Sequence, residues 1–227
     1  MVTRAHTVAF LGVEAKPVEV QCAIAPGLPA FNLVGLPDKA VSESKERVRA
    51  ALAAVGLAIP PSRITINLSP ADLPKAGSHY DLPIALAIMT ALDVLPADIA
   101  DSHVAMGELS LDGELKPVQG ALPAAVAAAA HNRGLICPEA CGREAAWVGA
   151  AEVVAPGSLI ALVNHFTGRD PLASPEPGPV SARRSASCRA MSSTAMSPWA
   201  SCRSTARSSR CRERCPPPSP PPPRTAA

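Results

Sequence analysis

The stretch Leu73–Ile84, LPKAGSHYDLPI, places Lys75, Ser78, His79 and Asp81 within seven residues, just before the apolar run LPIALAIMTAL. Two readings compete. The residue types are those of a hydrolase site, in which Ser, His and Asp would share one hydrogen-bonded line. They are also those of a turn that opens a helix. Pro74, Gly77 and Ser78 are turn formers. Asp81 can accept the free backbone N–H groups of a helix start, and Pro83 in the first turn lacks a donor that would be unpaired anyway. Neighbours one and two apart in a turn project apart, so the spacing predicts a helix N-terminus with Asp81 as its cap. The helix that follows is apolar nearly all round, which predicts a central buried position.

The rest of the chain falls into elements around this stretch. HTVAFLG and KPVEVQCAIAPG read as two strands that pair, the second alternating Val18, Val20, Cys22 and Ile24 against Glu19 and Gln21. AFNLVGLP (30–37) is a third strand. A helix runs from an Asp38 cap to a stop at Gly56, with Val41, Val48, Leu52 and Val55 on one face and a Glu43–Arg47 i,i+4 pair on the other. RITINLSP (63–70) is a strand with Ile64, Ile66 and Leu68 on one side. VAMGELSLDGELKPV (104–118) reads as a hairpin, with Asp112-Gly113 suited to a two-residue type I′ turn. An Ala-rich helix ending at Gly134, the strand GLICPEA, a short helix through Trp147, the strand AEVVAP and the helix SLIALVNHFTG close the body.

Charge divides the chain. Residues 1–180 hold 12 Lys+Arg against 18 Asp+Glu, whereas residues 181–227 hold 9 Arg and one acid, Glu213. The overall net charge of +2 therefore describes neither part. No apolar run approaches the ~18 residues of a membrane helix, and the N-terminus has no secretory pattern. A cytoplasmic protein without membrane contact is expected. The last 47 residues carry 11 Ser and 8 Pro and no apolar periodicity, a composition that predicts disorder. A basic arm for nucleic acid is one reading of this segment. The other is an out-of-frame sequence after about residue 180, since Arg, Pro, Ser, Ala and Cys are what a GC-rich gene encodes in a shifted frame. The boundaries expected are a domain at 1–170 and an Arg/Ser/Pro-rich tail at 171–227.

Three stretches carry a family resemblance: PGLPAFNLVGLPDKAVSESKERVRAAL (26–52), INLSPADLPKAGSHYDLPIALAI (66–88) and GELSLDGELKPVQGALPAAVAA (107–128). Together they resemble the N-terminal domain of the ComM-type (YifB), magnesium-chelatase-like AAA+ ATPases, bacterial proteins linked to competence and DNA processing of the branch-migration helicase type. The resemblance spans about residues 1–170. It implies an α/β (α+β) domain of the ribosomal protein S5 domain 2-like and Lon proteolytic domain-like fold, a mixed sheet with packed helices. It also implies an AAA+ motor following the domain in full-length relatives, with ATP and Mg, a homo-hexamer and DNA as partners.

The Lon resemblance tests the first stretch again. Lon-type peptidases carry their Ser in a turn of the form Pro-Lys-Asp-Gly-Pro-Ser-Ala-Gly. With Pro74-Lys75-Ala76-Gly77 laid on its first four residues, the nucleophile position falls on His79, and Ser78 misses by one. The partner Lys follows a Pro-x-Gly-Gly-Leu segment, matched by Pro117–Ala121, and its position falls on Leu122. No Lys occurs after Lys116. A Ser–Lys dyad needs a neutral amine to take the hydroxyl proton. None of the 14 glycines is followed by Lys, so the phosphate-cradling G-x-x-x-x-G-K-(S/T) pattern is absent as well.

The expectation is an accessory, non-catalytic domain severed from its motor, with no catalytic, cofactor-binding or metal residues of its own. Two rivals stand beside it: a peptidase with a rearranged site using Ser78 and Lys75 or His79, and a nucleic-acid binder using the basic tail. Lys75 and His79 beside a helix N-terminus could also attract an anion. Cys137 and Cys141 flank Pro-Glu-Ala as half of a metal pair with no second half in the body. His6, His103, His131 and His165 show no ligand spacing, and Trp147 reads as packing.

Overall fold

The computed structural model describes residues 2–57 and 59–178. Alternating apolar residues drive the first hairpin. Val2–Leu11 (β1) and Glu14–Ala25 (β2) pair antiparallel with Ala5 opposite Val20, and Gly12 at φ +63° turns the chain between them. Ala30–Val34 (β3) follows, then Lys39–Ala54 (α1), Arg63–Ser69 (β4), Asp81–Ala91 (α2) and Ala97–Ser102 (α3). His103–Ala105 (β5), Glu108–Leu109 (β6), Leu115–Lys116 (β7) and Ala121–Ala130 (α4) come next. Gly134–Ile136 (β8), Glu139–Ala145 (α5), Val153–Val154 (β9) and Leu159–Phe166 (α6) complete the order. Seven strands form one mixed sheet in the order β3-β4-β2-β1-β5-β8-β9, and β6-β7 form a small separate ribbon.

The two-residue period of a strand sorts the core to two faces. Ala5, Val20, Cys22, Ile66, Ile136 and Val154 face one way, into the cluster that holds α1, α2, α3 and α6. Val8, Val104, Leu135 and Val153 face the other, into a cluster with α4 and α5. The helix expected to be central is so: every residue of α2 from Asp81 to Thr90 is buried. On α1, Val41, Val48 and Leu52 are buried and Asp38 caps the N-terminus, its carboxylate accepting from the Val41 N–H at 2.7 Å.

Three expectations need correction. Arg47 does not pair with Glu43. Glu43 faces Lys39 at 3.9 Å, and Arg47 reaches Asp81 instead. Residues 104–118 are not one hairpin, because Val104 and Ala105 belong to β5, parallel to β1 and β8 in the main sheet. The shorter β6–β7 ribbon turns through Leu111-Asp112-Gly113, with Gly113 at φ +87° and Asp112 outside the positive-φ residues. A type I′ turn needs positive φ at both central positions. Here the Asp112 carboxylate accepts from Ser110 Oγ and from the Glu114 N–H at 3.2 Å, which favours a three-residue loop.

Residues 171–178, placed with the tail by composition, are described. Leu172 packs on the core and its N–H donates to His165 Nδ1 at 2.9 Å, while the Gly178 N–H donates to the Arg143 carbonyl at 3.2 Å. The expected disorder and frameshift after about residue 180 fall on 179–227, outside the described residues. No helix among the described residues is long and apolar enough to cross a membrane.

Gly35 ties β3 to β4. It sits at φ +108°, and a Cβ there would lie 2.1 Å from the Leu68 carbonyl oxygen. Strain and clash act together, so Gly35→Ala is expected to lower stability by more than about 2 kcal/mol, read as a shift of the urea midpoint.

Candidate functional site

The loop before α2 is built against two neighbours. Its backbone bridges the end of β3: the Asp38 N–H donates to the Lys75 carbonyl at 3.0 Å, and Pro37 forms a parallel bridge with Lys75. The Asp38 carboxylate that caps α1 also accepts from the Gly77 N–H at 3.3 Å. The capped end of α1 is therefore already filled by a carboxylate. A phosphate group would meet like charge there, so the β3–α1 loop, VGLPDK, does not fit nucleotide phosphates.

Lys75, Ser78, His79 and Asp81 each have their own partner, whereas the buried Tyr80 hydroxyl has none among the described residues. Lys75 is buried at 1% exposure, and its ammonium donates to the Pro70 carbonyl. Burial lowers its pKa from the ordinary value. Ser78 Oγ donates to the Glu108 carboxylate. His79 Nε2 donates to the Val8 carbonyl at 2.9 Å, which fixes the Nε2–H tautomer, and its ring lies 4.2 Å from Tyr80 and 5.1 Å from Phe10. Burial holds the imidazole below its ordinary pKa of 6.5. Ser78, His79 and Asp81 thus make no shared line. Lys75 and His79 point their donors at backbone carbonyls rather than at an anion.

Asp81 differs most from its expected role. A 3-10 turn at Ser78–Tyr80 runs straight into α2, so Asp81 has helical dihedrals (φ −59°, ψ −48°) and the cap position is Tyr80, without a side-chain bond. The carboxylate turns to α1. It accepts from Arg47 Nε at 2.6 Å and Nη2 at 3.0 Å, and from the Leu109 N–H at 3.2 Å. Arg47 Nη2 also reaches the Ala40 carbonyl and Ser44 Oγ. This forked, charge-assisted pair joins α1, α2 and β6. Burial raises the Asp81 carboxyl above its ordinary pKa, against the pull of the guanidinium.

The two positions that the Lon resemblance aligns with a dyad, His79 and Leu122, flank a residue that sequence reasoning passed over. Phe10 stacks obliquely near His79, and together with Leu122 it lines an open cleft of about 770 Å³ between the β1–β2 tip and α4. Gly120, at φ +93°, leaves room for the ring, since a Cβ there would lie 2.5 Å from Phe10 Cζ. A lone aromatic inside an apolar strand carries no sequence signal for this position.

The remaining candidates are dispersed. Cys137 and Cys141 are buried, burial pushes both thiols up, and Cys141 Sγ donates to the Val118 carbonyl. Among the described residues no group of three or more His, Cys, Asp or Glu is arranged to hold a metal ion. His6 meets Arg133 at 3.1 Å, His103 sits edge-on to Phe166, and His165 accepts from Leu172. Trp147 Nε1 donates to the Gly178 carbonyl.

Two outcomes are expected from these contacts. Removing Arg47 strands a carboxylate of 0% side-chain exposure, whereas removing Asp81 leaves a guanidinium of 22% exposure that reaches water. Arg47→Ala should therefore cost about 3–5 kcal/mol and Asp81→Ala less, by denaturant titration, with the apolar double variant Arg47→Met/Asp81→Leu recovering much of the loss. The second concerns acid. A histidine whose folded pKa lies below its unfolded value binds protons more weakly when folded, so its contribution is present above pH 6.5 and fades as pH falls. Stability should decline from pH 7 to 5, and His79→Gln should flatten that slope in pH-resolved unfolding curves.

Known proteins place this fold. A family model described as subunit ChlI of Mg-chelatase matches residues 18–141, more than half of the chain. The chain is 40% identical over 172 residues to the uncharacterized protein YifB of Escherichia coli K12, which covers 76% of this chain and 34% of that protein. It is 40% identical over 164 residues to the competence protein ComM of Haemophilus influenzae, covering 72% and 32%. An uncharacterized protein of Mycobacterium tuberculosis H37Rv is 47% identical over 125 residues, covering 55% and 25%. The chain thus spans about a third or less of the length of these curated relatives. With the seven-stranded mixed sheet and its packed helices, these matches identify the chain as a member of the magnesium-chelatase ChlI-like family, of the YifB and ComM kind.

Proposed function

We propose that this chain is an accessory domain without a catalytic step of its own, the N-terminal part of a magnesium-chelatase-like AAA+ ATPase of the competence and DNA-processing type. One observation carries the reading: the four side chains that could serve a hydrolase, Lys75, Ser78, His79 and Asp81, are each bonded to a partner outside that set. Ser78 is held by Glu108, His79 by Val8, Lys75 by Pro70 and Asp81 by Arg47. A nucleophile needs an adjacent base within hydrogen-bond reach, and a dyad amine must be close to its hydroxyl. Ser78 is bonded to the Glu108 carboxylate and not to Lys75 or His79, so neither the Ser–Lys nor the Ser–His pair is formed.

Nucleotide chemistry is assigned to the motor of the longer relatives. The capped α1 N-terminus does not fit a phosphate, and no glycine here precedes a lysine. ATP and Mg would therefore act outside this domain, within a homo-hexamer that engages DNA. The domain's part would be assembly or positioning rather than turnover.

The 227-residue chain is expected to leave a fluorophosphonate probe and ATP unchanged. Labelling of the native chain that is lost in Ser78→Ala would replace this reading with a peptidase, and ATP hydrolysis by purified chain would remove it outright.

A further inference from the structure

The segment that leaves α6, Pro171-Leu172-Ala173-Ser174-Pro175-Glu176-Pro177-Gly178, belongs to no helix or strand, yet it lies on the domain in a regular way. Leu172 and Pro175 are partly buried and Gly178 is buried, whereas Ala173, Ser174, Glu176 and Pro177 are exposed. The inward positions are therefore three residues apart. A polyproline II helix repeats every three residues and makes no hydrogen bonds within itself, so its backbone groups are available to a neighbour. Pro171, Pro175 and Pro177 favour that conformation, each fixing its own φ at about −65° and holding the residue before it extended.

Each inward position meets its own feature of the surface. Leu172 packs on the core, and its N–H donates to His165 Nδ1 on α6 at 2.9 Å. Pro175 lies against Gly142 of α5, where an added Cβ would come within 3.2 Å of the proline ring. Gly178 is held through both backbone groups. Its N–H donates to the Arg143 carbonyl at 3.2 Å, and its carbonyl accepts from Nε1 of Trp147, on the 3-10 turn Ala146–Val148. A Cβ at Gly178 would run into the Arg143 guanidinium. The surface thus reads a chain conformation: an indole N–H and a peptide carbonyl aimed at backbone, a notch for a proline ring, and space for a residue without a side chain. Extended Pro-rich chains are held on aromatic-bearing surfaces by this combination of contacts.

We propose that α5 and the Ala146–Val148 turn form a recognition site for polyproline II segments that carry an apolar residue, a proline and a glycine at three-residue intervals, and that Leu172–Gly178 is its ligand, supplied by the same chain. The site is separate from the Leu73–Asp81 loop and does not depend on the accessory-domain reading. Because the ligand is tethered, it acts at an effective concentration of roughly a millimolar. Releasing it lets a segment of another molecule with the same spacing take its place.

The 227-residue chain with Trp199→Phe keeps Trp147 as its single tryptophan, so the indole Nε1–H seen by NMR reports on the site. Adding Gly178→Val should release the segment and speed exchange of that N–H by roughly ten-fold or more. A peptide of residues 170–180, DPLASPEPGPV, should then restore the native indole signal. Saturation is expected by about 5 mM, because a tethered ligand that fills its site binds more tightly than its effective concentration. Without Gly178→Val, the same peptide at about 0.1 mM should leave the signal unchanged, since the tethered segment outcompetes it. A peptide with Leu172→Ala, Pro175→Ala and Gly178→Val should bind about ten-fold or more weaker. One altered at Ala173, Ser174 and Glu176 should bind as the native peptide does. If Gly178→Val unfolds the domain, Gly178→Ala is read in its place. Release of the indole without capture of the peptide would overturn the proposal and leave the segment a covalent strap. Equal binding of the three peptides, or unchanged exchange in the Gly178 variant, would overturn it as well.

Discussion

The buried pair of Arg47 and Asp81 is the constraint on which the arrangement of this domain depends. Asp81 lies at the first residue of the most buried helix, where an unpaired carboxylate would be costly. Arg47 supplies two of its hydrogen bonds from α1, and the Leu109 N–H supplies a third from β6. One carboxylate thereby sets the distance between two helices and the ribbon that follows them. The neighbouring Asp38 does a similar task on a smaller scale, tying α1 to the loop before α2 through Val41 and Gly77.

These contacts explain why a loop with the residue types of a hydrolase reads better as structure. Hydrolytic sites keep a nucleophile and its base near each other and free to exchange a proton. Here the hydroxyl, the imidazole, the amine and the carboxylate are each bonded away from the others. The ring of Phe10 stands between the regions that the Lon resemblance pairs, and Gly120 gives it room. His79 packs against Tyr80 and Phe10, and Phe10 in turn lines the apolar cleft.

α2 and α4 differ in how far the fold encloses them. Both helices lack a polar face, but the sheet and its neighbours enclose only α2. Among the described residues α4 leaves Val126 exposed beside the cleft that Phe10 and Leu122 line.

Much of the fold was legible in the sequence because it rests on local periodicity. Period-two alternation marked β2 and β4, Asp38 and Gly56 marked the ends of α1, and the nearly unbroken apolar run of α2 announced its central position. The motifs at 26–52, 66–88 and 107–128 likewise led to the family. Partner choice was not legible. Glu43 sits at the right spacing for Arg47, yet a buried carboxylate binds a guanidinium more strongly than an exposed one does, and burial is known only once α1 and α2 pack. Asp81 has the composition of a cap, but the preceding 3-10 turn carries it into the helix and aims it across the interface. Sequence determined which segments become strands and helices, since that depends on neighbours along the chain. Tertiary structure decided which charges meet and which apolar face stays open, since both depend on residues brought together from far apart.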